Sequence, residues 1–136
     1  TGIYYSSSTF SMLTINIKTV HMQLTPAIRS YAEEKVRMIE RFLGPRDADP
    51  FVQVELGQTT QHHHSGDIFR AEMNLTTADG ALRAVAEKDD LYAAIDAAKD
   101  SLVDELQRTK SKKTHLLRKG GRFMKNILRS MGLGEN

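Results

Sequence analysis

Three consecutive segments between Val52 and Glu87 alternate apolar with polar residues, and no other feature of this chain restricts its fold as much. Val52, Val54 and Leu56 alternate with Gln53 and Glu55. Phe69, Ala71, Met73 and Leu75 alternate with Arg70, Glu72 and Asn74, and Leu82, Ala84 and Ala86 follow with Arg83 and Glu87 between or beside them. A period of two belongs to strands with one buried and one wet face. Asp79-Gly80 is a hairpin signal between the last two segments, and Gly57 to Asp67 forms a longer connection between the first two. Such a meander presents an apolar face that something else must cover.

The flanking sequence supplies that cover. Leu13, Ile15 and Ile17 alternate with Thr14, Asn16 and Lys18, predicting a further strand. Thr25-Pro26 then opens a helix, with threonine as N-cap and proline at its first position. Its apolar stripe is Ile28, Ala32, Val36, Ile39 and Leu43, with Gly44-Pro45 as the stop and Arg46 to Pro50 as a turn-rich link. After the meander, Asp89-Asp90 caps a second helix whose stripe is Leu91, Ile95, Ala98, Leu102 and Leu106 and whose pattern runs to about Lys113. The small inward residues of the last strand let a helix pack closely. The expected architecture is an α+β fold of order β-α-β-β-β-α: a two-layer sandwich in which two helices cover one face of a four-stranded sheet.

The chain has 136 residues, enough for one packed domain, and no cysteine, which excludes disulfides and thiolate sites and suits a reducing cytoplasm. No apolar run approaches the roughly 20 residues needed to span a bilayer. Thr1 to Met12 carries no charge and is read as a tag or upstream extension, with Met12 a candidate native start. The net charge of +2 conceals a segregation. Up to Leu106 there are ten Lys and Arg against sixteen Asp and Glu, a balance of −6. From Gln107 onward there are nine basic residues against Glu135 alone, a balance of +8. A polyanion-binding end on an acidic body is one reading; a solvated helix end with a basic tail is the other.

The outer sides of the two helices carry the candidate contacts. Arg29, Lys35, Arg37 and Arg41 lie off the first stripe, diluted by Glu33, Glu34 and Glu40; Lys99, Arg108, Lys110, Lys112 and Lys113 lie off or past the second. Such a strip meets phosphates by counterion release, and the absence of interleaved aromatics gives no indication of base stacking.

Thr25-Pro26-Ala27-Ile28-Arg29 at the first helix, and Asp90-Leu91-Tyr92-Ala93-Ala94-Ile95-Asp96 directly after a strand ending Ala84-Val85-Ala86-Glu87, resemble the ribosome hibernation-promoting factor and ribosome-associated inhibitor A family, also labelled sigma-54 modulation proteins. The resemblance covers about Leu13 to Lys113, which it marks as a ribosome-binding domain followed by a basic tail, 114–136. It implies a fold similar to double-stranded RNA-binding domains. It also implies a translation inhibitor docked under stress in the small-subunit decoding channel, on ribosomal RNA and in competition with mRNA and tRNA. No membrane and no small-molecule substrate belong to that picture. The match supports Arg29, Lys35, Arg41, Arg108, Lys110 and Lys112 as RNA-binding residues, and the basic run adds Lys113. Met38, Ser101 and Asp104 depart from the family's usual Lys or Arg and shift the emphasis toward the end of the second helix. Long members carry a dimerisation domain for which the residues after Lys113 are too few, so a short-type member is expected. A protein-binding modulator of a sigma factor and a general RNA-binding module stand as alternatives.

In the tail, Leu116, Leu117, Phe123, Met124, Ile127, Leu128 and Met131 lie among the basic residues, and Gly120-Gly121 is expected to break it before a short amphipathic helix. An extra RNA arm, a packing or oligomer helix and a membrane-surface helix remain open for it. No catalysis, cofactor or metal is expected. His62-His63-His64 are adjacent in a loop and so poorly placed for a tetrahedral metal site. Asp89, Asp90 and Asp96 are assigned to capping and solvation, and Tyr92 to anchoring its helix on the sheet. Neither a phosphate-cradling glycine loop nor a Ser/His/Asp arrangement is present.

Overall fold

The computed structural model describes residues 13–60 and 66–130. The elements run β1 (Thr14–Val20), α1 (Pro26–Arg37), a 3-10 turn (Glu40–Phe42), β2 (Phe51–Thr60), β3 (Asp67–Thr77), β4 (Gly80–Lys88) and α2 (Leu91–Ser130). The sheet order is β1-β2-β3-β4, with β1 parallel to β2 and the other neighbours antiparallel. The parallel pair requires the crossover that α1 provides.

The register assigns a face to every strand residue. Ile17, Val54, Met73 and Ala84 form one transverse row, and Ile15, Val52, Leu75 and Leu82 form the next. Ile17, Val52, Val54, Met73, Leu75 and Ala84 in these rows are buried, as are Ala32 and Val36 of α1 and Leu91, Ala94, Ile95, Ala98 and Leu102 of α2. The intervening rows, Asn16–Gln53–Asn74–Arg83 and Lys18–Glu55–Glu72, make the polar face. The α+β sandwich expected from the alternation is the observed fold.

Both helix starts follow from their caps. The Thr25 hydroxyl accepts from the Ile28 N–H at 3.2 Å and Pro26 is the first helical residue; the Asp90 carboxylate accepts from the Ala93 N–H at 2.9 Å. Each cap contributes about 1 kcal/mol. The β3–β4 hairpin turns on Ala78 and Asp79, with Thr77 opposite Gly80, whose φ of +142 favours glycine.

Three boundaries differ from the sequence reading. Gly57 to Thr60 and Asp67, expected in the connecting loop, extend β2 and β3, with Gly57 to Thr60 paired opposite Arg70 to Asp67. The first helix does not continue to Gly44-Pro45: α1 ends at Arg37, where the Met38 N–H donates to the Lys35 carbonyl, the Ile39 N–H to the Val36 carbonyl, and the chain tightens into the 3-10 turn. Ile39 still reaches the core, and the buried Asp47 carboxylate closes the following loop by accepting the Gly44 N–H at 2.8 Å. The second helix neither ends near Lys113 nor breaks at Gly120-Gly121, but runs unbroken to Ser130. An interior glycine costs only about 1 kcal/mol relative to alanine, and Leu, Arg, Lys and Met around the pair are good helix formers. The chain divides at Glu105/Leu106 into a folded body and a distal unit that contains the remainder of α2.

Candidate nucleic-acid interface

Within the body, the basic residues of the helical side are engaged by their neighbours. Arg29 lies 3.9 Å from Glu33, and Arg37 lies 3.9 Å from Glu40, both pairs within one turn. Lys99 contacts Asp100 at 2.7 Å with only 16% of its side chain exposed. Arg41 sets its guanidinium over the Phe42 ring at 4.9 Å, beside a groove of about 230 Å³ that Met38, Lys99 and Val103 also line. Phe42 is thus an aromatic beside the basic residues that the spacing of the basic run does not reveal, and Arg41 already covers it.

Lys35 belongs to a cluster that ties the two helices together. Its ammonium is 3.5 Å from Asp96 and 5.2 Å from the centre of the Tyr31 ring. The Tyr31 hydroxyl donates to the same Asp96 carboxylate at 2.8 and 2.9 Å, and the Tyr92 ring meets the Tyr31 ring edge-on at 4.8 Å. Two expectations are corrected here. Asp96 is an interhelical acceptor rather than a solvated acid, because it lies one and a half turns into α2, opposite Tyr31. Tyr92 packs its ring on α1 rather than on the sheet. Donation to Asp96, then desolvation, pushes the Tyr31 phenol up to about 12.

That cluster has a measurable signature. Among the four tyrosines of the chain, one phenol should remain protonated beyond pH 11 in an ultraviolet titration and ionise near 12. Tyr31→Phe should remove that late transition and lower stability by roughly 1 kcal/mol. Because the folded value lies above the ordinary 10.0, this contribution is complete below pH 10 and disappears as pH rises through about 12. An unchanged titration in Tyr31→Phe would contradict the assignment.

The distal unit differs in composition. From Leu106 to Ser130 the helix carries Arg108, Lys110, Lys112, Lys113, Arg118, Lys119, Arg122, Lys125 and Arg129, and no acidic residue. At roughly 100° per residue, Arg108, Lys112, Lys119 and Arg122 fall within one strip along this helix, roughly 21 Å long. Lys110 and Lys113 fall on other sides. The four distal residues singled out from sequence therefore do not lie on one strip, and Lys119 and Arg122 join Arg108 and Lys112 there because the helix runs on past Lys113. Arg108, Lys112 and Lys119 are exposed.

The histidine run 62–64 lies outside the described residues. Among the described residues, no cluster of three or more His, Asp or Glu is placed to hold a metal, and no helix is long and apolar enough to cross a membrane.

Comparison with known proteins gives these features a context. The chain is 31% identical to a ribosome hibernation promoting factor of Klebsiella oxytoca, over 72% of this chain and 94% of that protein. It is 26% identical to the ribosome hibernation promotion factor of Bacillus subtilis over 89% of this chain, which spans only 60% of that longer relative. The N-terminal domain of Thermus thermophilus Protein Y superposes with a TM-score of 0.60 at 30% identity, covering 72% of this chain and 99% of that domain. A ribosomal subunit interface protein from Coxiella burnetii, 21% identical, shares the fold with a TM-score of 0.59. With a family profile matching residues 15–114 as well, the chain belongs to the Sigma 54 modulation protein / S30EA ribosomal protein family.

Proposed function

We propose that this chain is a ribosome hibernation factor, a non-enzymatic cytoplasmic protein that binds the small ribosomal subunit through rRNA phosphates. Under stress it occupies the decoding channel and excludes mRNA and tRNA. The names of its relatives support the ribosomal part of this reading. The observation that carries the RNA contact is the helix from Leu106 to Ser130, with nine cations and no acid. Where a carboxylate already neutralises a cation, as at Arg29, Lys35 and Arg37, little counterion is left for a phosphate to displace. On the distal helix the density of cations along one continuous element supplies that driving force. The residues proposed for contact are Arg108, Lys112 and Lys119 on one strip, with Lys110 and Lys113 off it and Arg29, Lys35 and Arg41 of the body as lesser contributors.

A sedimentation or fluorescence titration against purified small subunits tests this. With about five phosphate contacts, log K should fall with log salt at a slope of about −3.5 to −4.5. Bound protein should also be displaced by mRNA together with initiator tRNA. A flat salt response would refute the electrostatic contact, and a footprint confined to the solvent side of the subunit would refute the decoding channel. Binding to a sigma factor with no affinity for subunits would support the protein-modulator alternative instead.

A further inference from the structure

The continuity of α2 through Gly120-Gly121 turns the end of the chain into something the sequence pattern alone did not define. In one uninterrupted helix, Leu116, Leu117, Phe123, Met124, Ile127 and Leu128 occupy positions within a single arc of roughly 140°. Arg118, Lys119, Arg122, Lys125 and Arg129 occupy the opposite side, without an acid among them. Leu116, at the start of the arc, is 58% exposed. This segment also lies beyond residue 114, where the family match ends.

Three kinds of partner could meet such a helix, and charge and apolarity together select one. RNA would satisfy the cations but offers no apolar surface to Leu116, Phe123 and Ile127. A second copy could cover the apolar arc, but it would bring two acid-free basic segments side by side. The positions that would complete its seam, Lys110, Lys113 and Gly120, are charged or lack a side chain. An anionic lipid surface accepts both sides at once, headgroups against the cations and acyl chains against the apolar arc. We propose that Leu116 to Ser130 is a docking element for an anionic bilayer surface, lying in the headgroup region rather than crossing it. This departs from the absence of a membrane partner expected from the family resemblance, and it does not depend on the ribosomal function proposed above.

The test is flotation of the 136-residue chain with vesicles of phosphatidylcholine, alone or mixed with phosphatidylglycerol. The wild type should float with the mixed vesicles and not with phosphatidylcholine alone. Replacing Arg118, Lys125 and Arg129 with Gln, three cations outside the strip assigned to RNA, should reduce partitioning on the order of a hundredfold. Replacing Leu116, Phe123 and Ile127 with Ser, all cations retained, should reduce it at least about tenfold while leaving binding to small subunits and to duplex RNA unchanged. No flotation of the wild type, or undiminished flotation of the serine variant, would overturn the proposal. So would loss of RNA binding in the serine variant, which would assign the arc to RNA. A wild-type dimer that the serine variant dissociates would assign it to self-association and overturn the proposal equally.

Discussion

Replacing Arg108, Lys112 and Lys119 together with Gln is expected to weaken small-subunit binding by roughly two to three orders of magnitude at about 0.1 M salt, and to make the salt slope shallower by about two to three units. The reason is geometric. These three residues share one strip of an unbroken helix, so a single polyanion can meet all of them. Lys110 and Lys113 lie off that strip, and their replacement should cost at most about one unit of slope. Neither variant should lose much thermal stability. Cations near a helix C-terminus can stabilise it through the dipole, but that effect falls off within the last turn. Here α2 ends at Ser130, so Lys113 stands several turns inside the helix rather than at its end. The matching experiment on the body is Arg29 and Arg41 to Gln. Lys35 is best varied separately, since its ion pair with Asp96 makes any loss there partly a loss of the interhelical cluster. If the body variant abolishes binding while the distal variant keeps both affinity and slope, the distal helix is not the RNA contact.

Which of these features could be read from sequence depended on how far apart their parts lie. The strand alternation and the caps at Thr25 and Asp90 are local, and each corresponds to an element in the structure. The end of α1 is hidden in the sequence because Gly44-Pro45 is a stronger signal than the 3-10 tightening that precedes it. Gly120-Gly121 misleads for the opposite reason. A glycine pair weakens a helix without forbidding it, and propensity is decided by the whole window. The bond from Tyr31 to Asp96 joins residues 65 apart in sequence, and nothing in either local pattern predicts it. That bond matters to the candidate site, because it shows Lys35 to be part of a structural cluster as well as a candidate contact. The distal strip was half legible. Its charge was evident, but its geometry required knowing that one helix carries all of it.

The polar face of the sheet hides the other large effect. Glu72 is only 14% exposed, yet it accepts hydrogen bonds from Asn74, Arg83 and Arg70, each at 2.9 Å. Donation from Asn74 first, and from Arg83 next, outweighs desolvation and holds the carboxyl down at about 2 against an ordinary 4.5. That difference corresponds to an upper bound of roughly 3 kcal/mol of folding free energy. Since the folded value is depressed, this stability is present above about pH 4.5 and is lost as pH falls toward 2. The network also fixes register. Glu72 lies directly opposite Glu55 on β2, a pairing that repels unless each acid has its own cation, as Lys18 gives Glu55 at 3.5 Å and the two arginines give Glu72. Glu72→Gln keeps the shape but removes the charge and leaves one neutral oxygen where two carboxylate oxygens accept from Arg70, Arg83 and Asn74. It should lower stability at neutral pH by about 2–3 kcal/mol in urea denaturation. The gap between wild type and variant should then narrow from pH 5 downward and close near pH 2. A variant as stable as the wild type at pH 7, or a gap that persists unchanged at pH 2, would show that the three donors hold Glu72 without stabilising the sheet.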